Sequence, residues 1–279
     1  MIDFMGVEYA RGATATITNA GPALGPATIK KMFPDNDWTT VIADYKSPAE
    51  CALDRFGDTF AVHKKIYCAT PYTRHILIGG DHSINFGHFA TISDRTPEQD
   101  LCLVYIDAHM DLHTPQSSIS QASGAPHGTN VRALLGDGDE RWLSLQAKTP
   151  ALKPENLFYL GTRSYEPAEI EYAQDNNIYM RHVSELQTPE SWSSAINEIK
   201  KRIGTRPYVV SFDFDVIDPS IFPDVLVPEP NGLSLDAVRY FLENLNDANS
   251  FEFVEYAPSG DTQSAQIAHD LIDIIVKSA

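Results

Sequence analysis

The chain has 279 residues, 43% of them hydrophobic and 21% charged, ordinary values that exclude wholesale disorder, a collagen-like repeat and a disulfide scaffold. Twenty-one Lys and Arg stand against 38 Asp and Glu, a formal charge of −17. That balance argues against nucleic acid or an anionic membrane as partner, since both need a basic face; it suits a cationic small substrate or metal ions, though taken alone it reads first as solubility.

In chain order, the segment 19–31 (NAGPALGPATIKK) carries two Gly-Pro pairs ahead of an expected helix start. The apolar run HILI at 75–78 follows, then LCLVYI at 101–106. A long irregular stretch at 112–130, rich in Ser, Gly, Pro, Thr and Gln, comes next; such loops inside a domain are usually functional. NLFYLG at 156–161 is a third apolar run. Residues 191–204 read as a helix with Ile196, Ile199 and Ile203 on one stripe and Gly204 as its stop. PYVVSF at 207–212 leads into a second irregular stretch, 218–232, with four prolines. Residues 234–245 read as a helix capped by Ser234. FEFVEY at 251–256 and a last helix at 261–277, with Ile267, Leu271, Ile274 and Ile275 at helical spacing, close the chain. Nearly continuous apolar runs indicate strands buried on both faces, as in a parallel sheet. Strands alternating with helices predict one α/β domain over residues 1–279 with helices on both sides of the sheet.

Cys51, Cys68 and Cys102 are odd in number and lack a CxxC spacing, so neither a disulfide framework nor a thiolate zinc site is expected. The first residues show no basic-then-apolar leader, and no apolar run approaches the ~20 residues that span a bilayer. The expected location is the cytoplasm.

Three clusters carry the chemistry. The run at 101–106 leads directly into Asp107, His109 and Asp111, at alternate positions; in an extended segment their side chains would point the same way. The run at 207–212 leads into Asp213 and Asp215, while Asp218, out of phase and before Pro219, reads as a turn-former. Gly79-Gly80-Asp81-His82-Ser83 follows the run at 75–78, with Asp81 or Ser83 able to cap the next helix. Taken singly, His82 reads as a hydrogen-bonded turn histidine. All three clusters fall at the carboxyl ends of strands, where open parallel sheets bind ligands. Four aspartates and two histidines exceed the three protein ligands usual for one catalytic zinc and suit two divalent ions, Mn²⁺ the best match to a mostly oxygen donor set. Such a pair activates water for attack at an electrophilic carbon or phosphorus.

GGDHS, DAHMD and SFDFDVIDP, in this order across 79–219, resemble the three metal-site motifs of the ureohydrolases, the arginase and agmatinase family. GPALGPATIKK resembles the family's opening helix and VEYAPSGD at 254–261 its closing motif. The resemblance implies a three-layer α/β/α fold with a mainly parallel eight-stranded sheet, and a hydroxide-bridged pair of Mn²⁺ ions. It places His82, Asp107, Asp111 and Asp213 on one metal and Asp107, His109, Asp213 and Asp215 on the other, with Asp107 and Asp213 bridging. It makes His127 a proton shuttle or general acid for the leaving amine, and Glu255 the partner of the substrate guanidinium. It implies a homo-oligomer, trimer or hexamer.

The loop after Asp111 departs from the arginase pattern. Thr114-Pro115 and Ser123-Gly124 are arginase-like, but His113 and Ala125 stand where asparagines are usual. Ser123-Gly124-Ala125-Pro126 resembles formiminoglutamate hydrolases, and Glu166 stands where an acid would contact an α-amino group. The expected substrate-tail residues are His113, Ser123, Asn130 and Glu166, with Thr129 and Arg163 as further candidates for a carboxylate. The expected activity is manganese-dependent hydrolysis of a linear guanidino compound, arginase-like or guanidino-acid, with agmatinase or formiminoglutamate hydrolase as alternatives. A zinc deacylase and a metal-binding but inactive homologue are the rival classes.

Overall fold

A computed structural model describes residues 2–13, 21–44, 48–97, 100–120 and 122–279, without the side chains of Pro48, Cys51 and Ala52. The start of the 19–31 segment and the Cys51 side chain thus lie outside the described residues; Cys68 and Cys102 are free thiols.

Eight strands form one sheet among the described residues: β1 (Asp3–Glu8), β2 (Trp38–Ile42), β3 (His75–Ile78), β4 (Cys102–Ile106), β5 (Leu157–Thr162), β6 (Tyr179–His182), β7 (Tyr208–Asp213) and β8 (Ser250–Val254). Their order is β2-β1-β3-β8-β7-β4-β5-β6, and every pairing is parallel. The five apolar runs are β3, β4, β5, β7 and β8. β1, β2 and β6 escape a search for apolar runs for physical reasons. Gly6 interrupts β1, where an added Cβ would press on Pro26. β2 and β6 are edge strands, so Thr39, Thr40 and Arg181 stand where a central strand needs apolar side chains.

Alternation along each strand splits the core into two layers. Ile76, Val104, Ile106, Val210 and Phe251 face helices Gly25–Met32, Pro189–Ile203, Leu235–Asn244 and Thr262–Lys277. Leu77, Leu103, Tyr105 and Val209 face the other side, where helices Arg55–Ala69 and Asn85–Arg95 pack. The stripe Ile196, Ile199 and Ile203 is buried, and Gly204 ends its helix at φ +62°, a conformation costly for other residues. Ser234 caps its helix by accepting the Ala237 N–H. Ile267, Leu271 and Ile275 are buried, and Ile274 packs beside them. Among the described residues no helix is long and apolar enough to cross a membrane.

The strand order sets the site. β3, β8, β7 and β4 are adjacent in the middle of the sheet, so their four carboxyl ends, distant in sequence, meet at one edge.

Candidate metal centre

At that edge each strand gives way to a tight turn that aims side chains inward. After β3, Asp81 accepts the Ser83 N–H and starts a single 3-10 turn, His82–Ile84. After β7, Asp213 accepts the Asp215 N–H at 2.8 Å and starts another, Phe214–Val216. After β4, the chain bends at Asp107 and reaches Asp111 at φ +51°. The extended geometry expected for Asp107, His109 and Asp111 therefore does not occur. The strand ends at Ile106, and the three side chains meet because the backbone turns, with a left-handed residue at Asp111. Likewise Asp215 lies in a 3-10 turn rather than on the strand. Glu255 follows β8 at φ +64°. Two non-glycine residues in the left-handed region store strain, which the site's surroundings must hold in place.

In Asp107, Asp213 and Asp215 one oxygen is tied to the scaffold and the other faces the centre, whereas in Asp111 a single oxygen does both. Asp107 Oδ1 accepts the His109 N–H at 2.6 Å, and its Oδ2 lies 2.9 Å from His82 Nδ1. Asp213 Oδ1 accepts the Asp215 N–H and its Oδ2 lies 3.0 Å from His82 Nδ1. Asp215 Oδ1 faces the Ala108 N–H at 3.3 Å and its Oδ2 lies 3.0 Å from His109 Nδ1. Asp111 Oδ2 accepts from Tyr105 Oη at 2.8 Å and Asn130 Nδ2 at 2.9 Å, and lies 3.6 Å from His82 Nδ1.

These donors fit divalent ions. His82 Nδ1 faces three carboxylate oxygens, yet one ring nitrogen donates at most one proton. Among the described residues Asp107 Oδ2 is buried with no hydrogen bond beyond its ion-pair contact with His82, which is costly unless a cation meets it. Donor separations near 3 Å are those of neighbouring ligands around an ion with bonds of about 2.1 Å. Two groups, His82–Asp107–Asp111 and Asp107–His109–Asp215, each bring one ligand atom per residue within 4.8 Å of the others. Asp107 belongs to both.

The electrostatics agree. Burial, then the charge of neighbouring Asp107, raises Asp111 to about 7. Burial and neighbouring carboxylates push Asp213 and Asp215 up as well. Burial opposes charge on His82 and His109, but the facing aspartates outweigh it and raise both.

His82, His109, Asp111, Asp213, Asp215 and Glu255 line one cavity of about 300 Å³. Glu255 Oε1 accepts the His82 N–H at 2.8 Å, while its buried Oε2 has no hydrogen-bond partner among the described residues. His127 lines the cavity, its Nδ1 3.3 Å from the Gly12 carbonyl. Burial, reinforced by the nearby cations, lowers it to about 4.

The expected tail residues divide. His113, Ser123 and Glu166 line the cavity. His113 Nε2 lies 3.1 Å from Glu169 Oε2, and Glu169, also lining the cavity, outweighs burial to raise it. Glu166 caps the helix Pro167–Asp175 and accepts from the Ile119 N–H and Ser118 Oγ. Asn130 does not line the cavity; its amide is spent on Asp111 and the His127 carbonyl. Thr129 is buried with its hydroxyl on the Pro126 carbonyl. Arg163 donates only to backbone carbonyls, those of Asp215, Val216, Glu229, Pro230 and Gly161.

Sequence reading missed Glu229, whose Oε1 lies 3.5 Å from His109 Nε2, and Glu169. Glu229 sits in the proline-rich 218–232 stretch, where no periodicity marks it. The turn-former Asp218 behaves as expected, accepting the Ser220 and Gly232 N–H groups at 3.0 Å each.

The sequence model of the arginase family matches residues 4–277. An arginase of Glaciozyma antarctica is 33% identical over 193 residues, 66% of this chain and 54% of the relative. The arginase of Bacillus subtilis is 30% identical over 209 residues, 72% of this chain and 68% of the relative. The chain spans about half the length of several curated relatives it matches. The crystal structure of Bacillus subtilis arginase superposes with a TM-score of 0.84 at 24% identity, covering 99% of this chain and 98% of that one, a likeness of fold. On the family match over nearly its whole length, this chain belongs to the arginase family.

Proposed function

We propose that the chain is a single ureohydrolase domain that admits a linear guanidino substrate to the cavity and releases urea. The observation that carries this reading is the convergence of His82, His109, Asp111, Asp213, Asp215 and Glu255 on one cavity. His82, Asp107, Asp111 and Asp213 would hold one Mn²⁺, and Asp107, His109, Asp213 and Asp215 the other. Such ions supply Lewis acidity and lower the pKa of the attacking water.

The chain's own groups do the rest. Glu255 Oε2, buried and without a hydrogen-bond partner among the described residues, meets the guanidinium and orients its carbon. Asp215, fixed by the Ala108 N–H, balances charge as the carbon becomes tetrahedral. Water adds to that carbon, the bond to the substituted nitrogen breaks, and the departing nitrogen needs a proton. His127 is neutral at pH 7 because burial lowers it to about 4. Its Nδ1–H is held by the Gly12 carbonyl, which leaves Nε2 to take a proton from water and return it to the amine.

The far end of the cavity supports an arginase-like or guanidino-acid tail. His113, 3.1 Å from Glu169, and Ser123 both line that cavity and offer polar contacts to a carboxylate tail. Glu166 is the acid for an amino group. A homo-oligomer, trimer or hexamer, and a cytoplasmic location belong to the same reading.

The test is a screen of Mn²⁺-saturated protein on arginine, agmatine, guanidinobutyrate and guanidinopropionate for urea, and on formiminoglutamate for formamide. Release from a carboxylate-tailed guanidine, with KM raised by Ser123→Ala, is expected. Preference for agmatine, or formamide release alone, selects the alternative substrates. Two bound ions with no turnover of any compound would leave the inactive metal-binding reading.

A further inference from the structure

Beneath the candidate centre, a chain of buried polar groups runs along one face of the sheet to its opposite edge. Glu252 lies on β8, in register with Ser211 of β7. Both side chains are fully buried, as is that of His88 on the helix Asn85–Arg95 packed above them. A carboxylate in the middle of a central strand costs stability that an apolar residue would not, so its partners are informative.

Those partners fix the direction of every hydrogen bond. Ser211 Oγ lies 2.8 Å from His82 Nε2 and 3.5 Å from the Asn85 amide, and its hydroxyl, beside Glu252 in register, helps to lower that carboxyl. Glu252 Oε1 lies 2.5 Å from His88 Nδ1, and Oε2 takes the Asn85 amide at 2.5 Å. His88 Nε2 lies 2.7 Å from His75 Nε2. His75 Nδ1 lies 2.8 Å from the carbonyl of Thr73, an exposed residue just before β3. The Thr73 carbonyl only accepts, so His75 Nδ1 carries a proton. Burial, then the charge of His88, lowers His75 to about 3, so its Nε2 is bare and takes the proton of His88 Nε2. The Glu252 carboxylate only accepts, so His88 Nδ1 is protonated too. His88 thus bridges His75 and Glu252 through its two ring nitrogens. Burial works to neutralise Glu252, but bonds from His88, Ser211 and Asn85 outweigh it and keep the carboxyl below its usual value.

The last link reaches the site. A serine hydroxyl has one proton, and the carboxylate claims it. Ser211 Oγ must then accept from His82 Nε2–H. We propose that Glu252, anchored by His88 and His75, acts through Ser211 as a positioning residue that holds His82 Nε2–H and so keeps Nδ1, the nitrogen that would bind an ion, facing Asp107 and Asp213. This rests on His82 being a metal ligand. Groups that hold the second nitrogen of a ligating histidine typically tune metal affinity by 10–100-fold.

The test replaces the anion with its isostere, Glu252→Gln, whose amide can donate to Ser211 and release that hydroxyl to point at His82. Mn²⁺ binding is followed by calorimetry, and the His82 Nε2–H resonance by NMR of Cd²⁺-loaded protein carrying [¹⁵N]histidine. The wild type is expected to bind two ions and show a slowly exchanging Nε2–H. In Glu252→Gln, one dissociation constant weakens at least about 10-fold, the other shifts less than about 3-fold, and the resonance is lost to exchange. Ser211→Ala, which removes the acceptor, is expected to do the same and serves if Glu252→Gln does not fold. A lower melting temperature with both ions bound as tightly as in wild type and the resonance intact would make Glu252 a structural group only and overturn the proposal. A wild type that binds no ion would overturn both this proposal and the metal-centre reading, which separates the two failures.

Discussion

Removing divalent ions should cost this protein a measurable part of its stability. Asp107, Asp111, Asp213 and Asp215 are all buried, close enough to repel one another, with His82 and His109 as the facing cations. Ions that bind only the folded chain stabilise it by about 2.7 kcal/mol per site at free concentrations 100-fold above Kd, so two sites give roughly 5 kcal/mol. A chain of 279 residues unfolds with an entropy of about 0.6 kcal/mol/K, so chelation should lower Tm by about 9 °C. The effect has a sign in pH. Asp111 is raised to about 7 when no cation meets it. A carboxyl raised in the folded state contributes stability present below its unfolded pKa, about 4, and lost as pH rises through the folded value near 7. Asp213 and Asp215 are raised too and act in the same direction. The metal-free protein should therefore weaken between pH 5 and 8, where the loaded protein has ions to balance the same carboxylates. Differential scanning calorimetry with and without EDTA at pH 5.5 and 8 measures this. A chelator effect below about 2 °C at both values, with the ions shown to be removed, would refute the reasoning.

Three further outcomes are expected. Asp107→Asn and Asp213→Asn should each lose at least one ion by elemental analysis and nearly all hydrolysis, whereas Asp218→Asn, whose carboxylate holds the Ser220 and Gly232 N–H groups, should keep both ions. Glu255→Gln should keep both ions and lose about 1.5–3 kcal/mol of transition-state binding, seen as a fall in kcat/KM of roughly 10- to 150-fold; loss of metal in this variant would count against the guanidinium assignment. His63 is fully buried and lowered to about 3 by burial, with Nε2 2.9 Å from the Ser83 carbonyl. Its contribution is present above pH 6.5 and lost as pH falls towards 3, so at pH 5 it should cost about 2 kcal/mol relative to pH 7. Urea unfolding at both pH values should show that slope reduced in His63→Gln.

The sequence by itself determined which groups gather and on what scaffold. Five apolar runs were readable as buried strands because burial on both faces leaves few positions for polar residues, His75, Ser211 and Glu252 being the exceptions. Each ran into a turn whose Asp or Gly is visible locally, so the ligand types and their place at strand ends were legible. The tertiary structure decided everything that depends on which strand lies beside which. Edge strands β2 and β6 carry polar residues, so no apolar run reveals them. Asp107, His109 and Asp111 look aligned in an extended chain, yet they converge through a bend ending at φ +51°, which residue spacing does not encode. His82 and Asp213, 131 residues apart, meet only because β3, β8, β7 and β4 are neighbours. Glu229, Ser211 and the Glu252–His88 pair were invisible for the same reason. A serine in one strand and a glutamate in another have no mark in sequence until the sheet's register puts them side by side, and the proton on a histidine nitrogen is set by the partner it finds there.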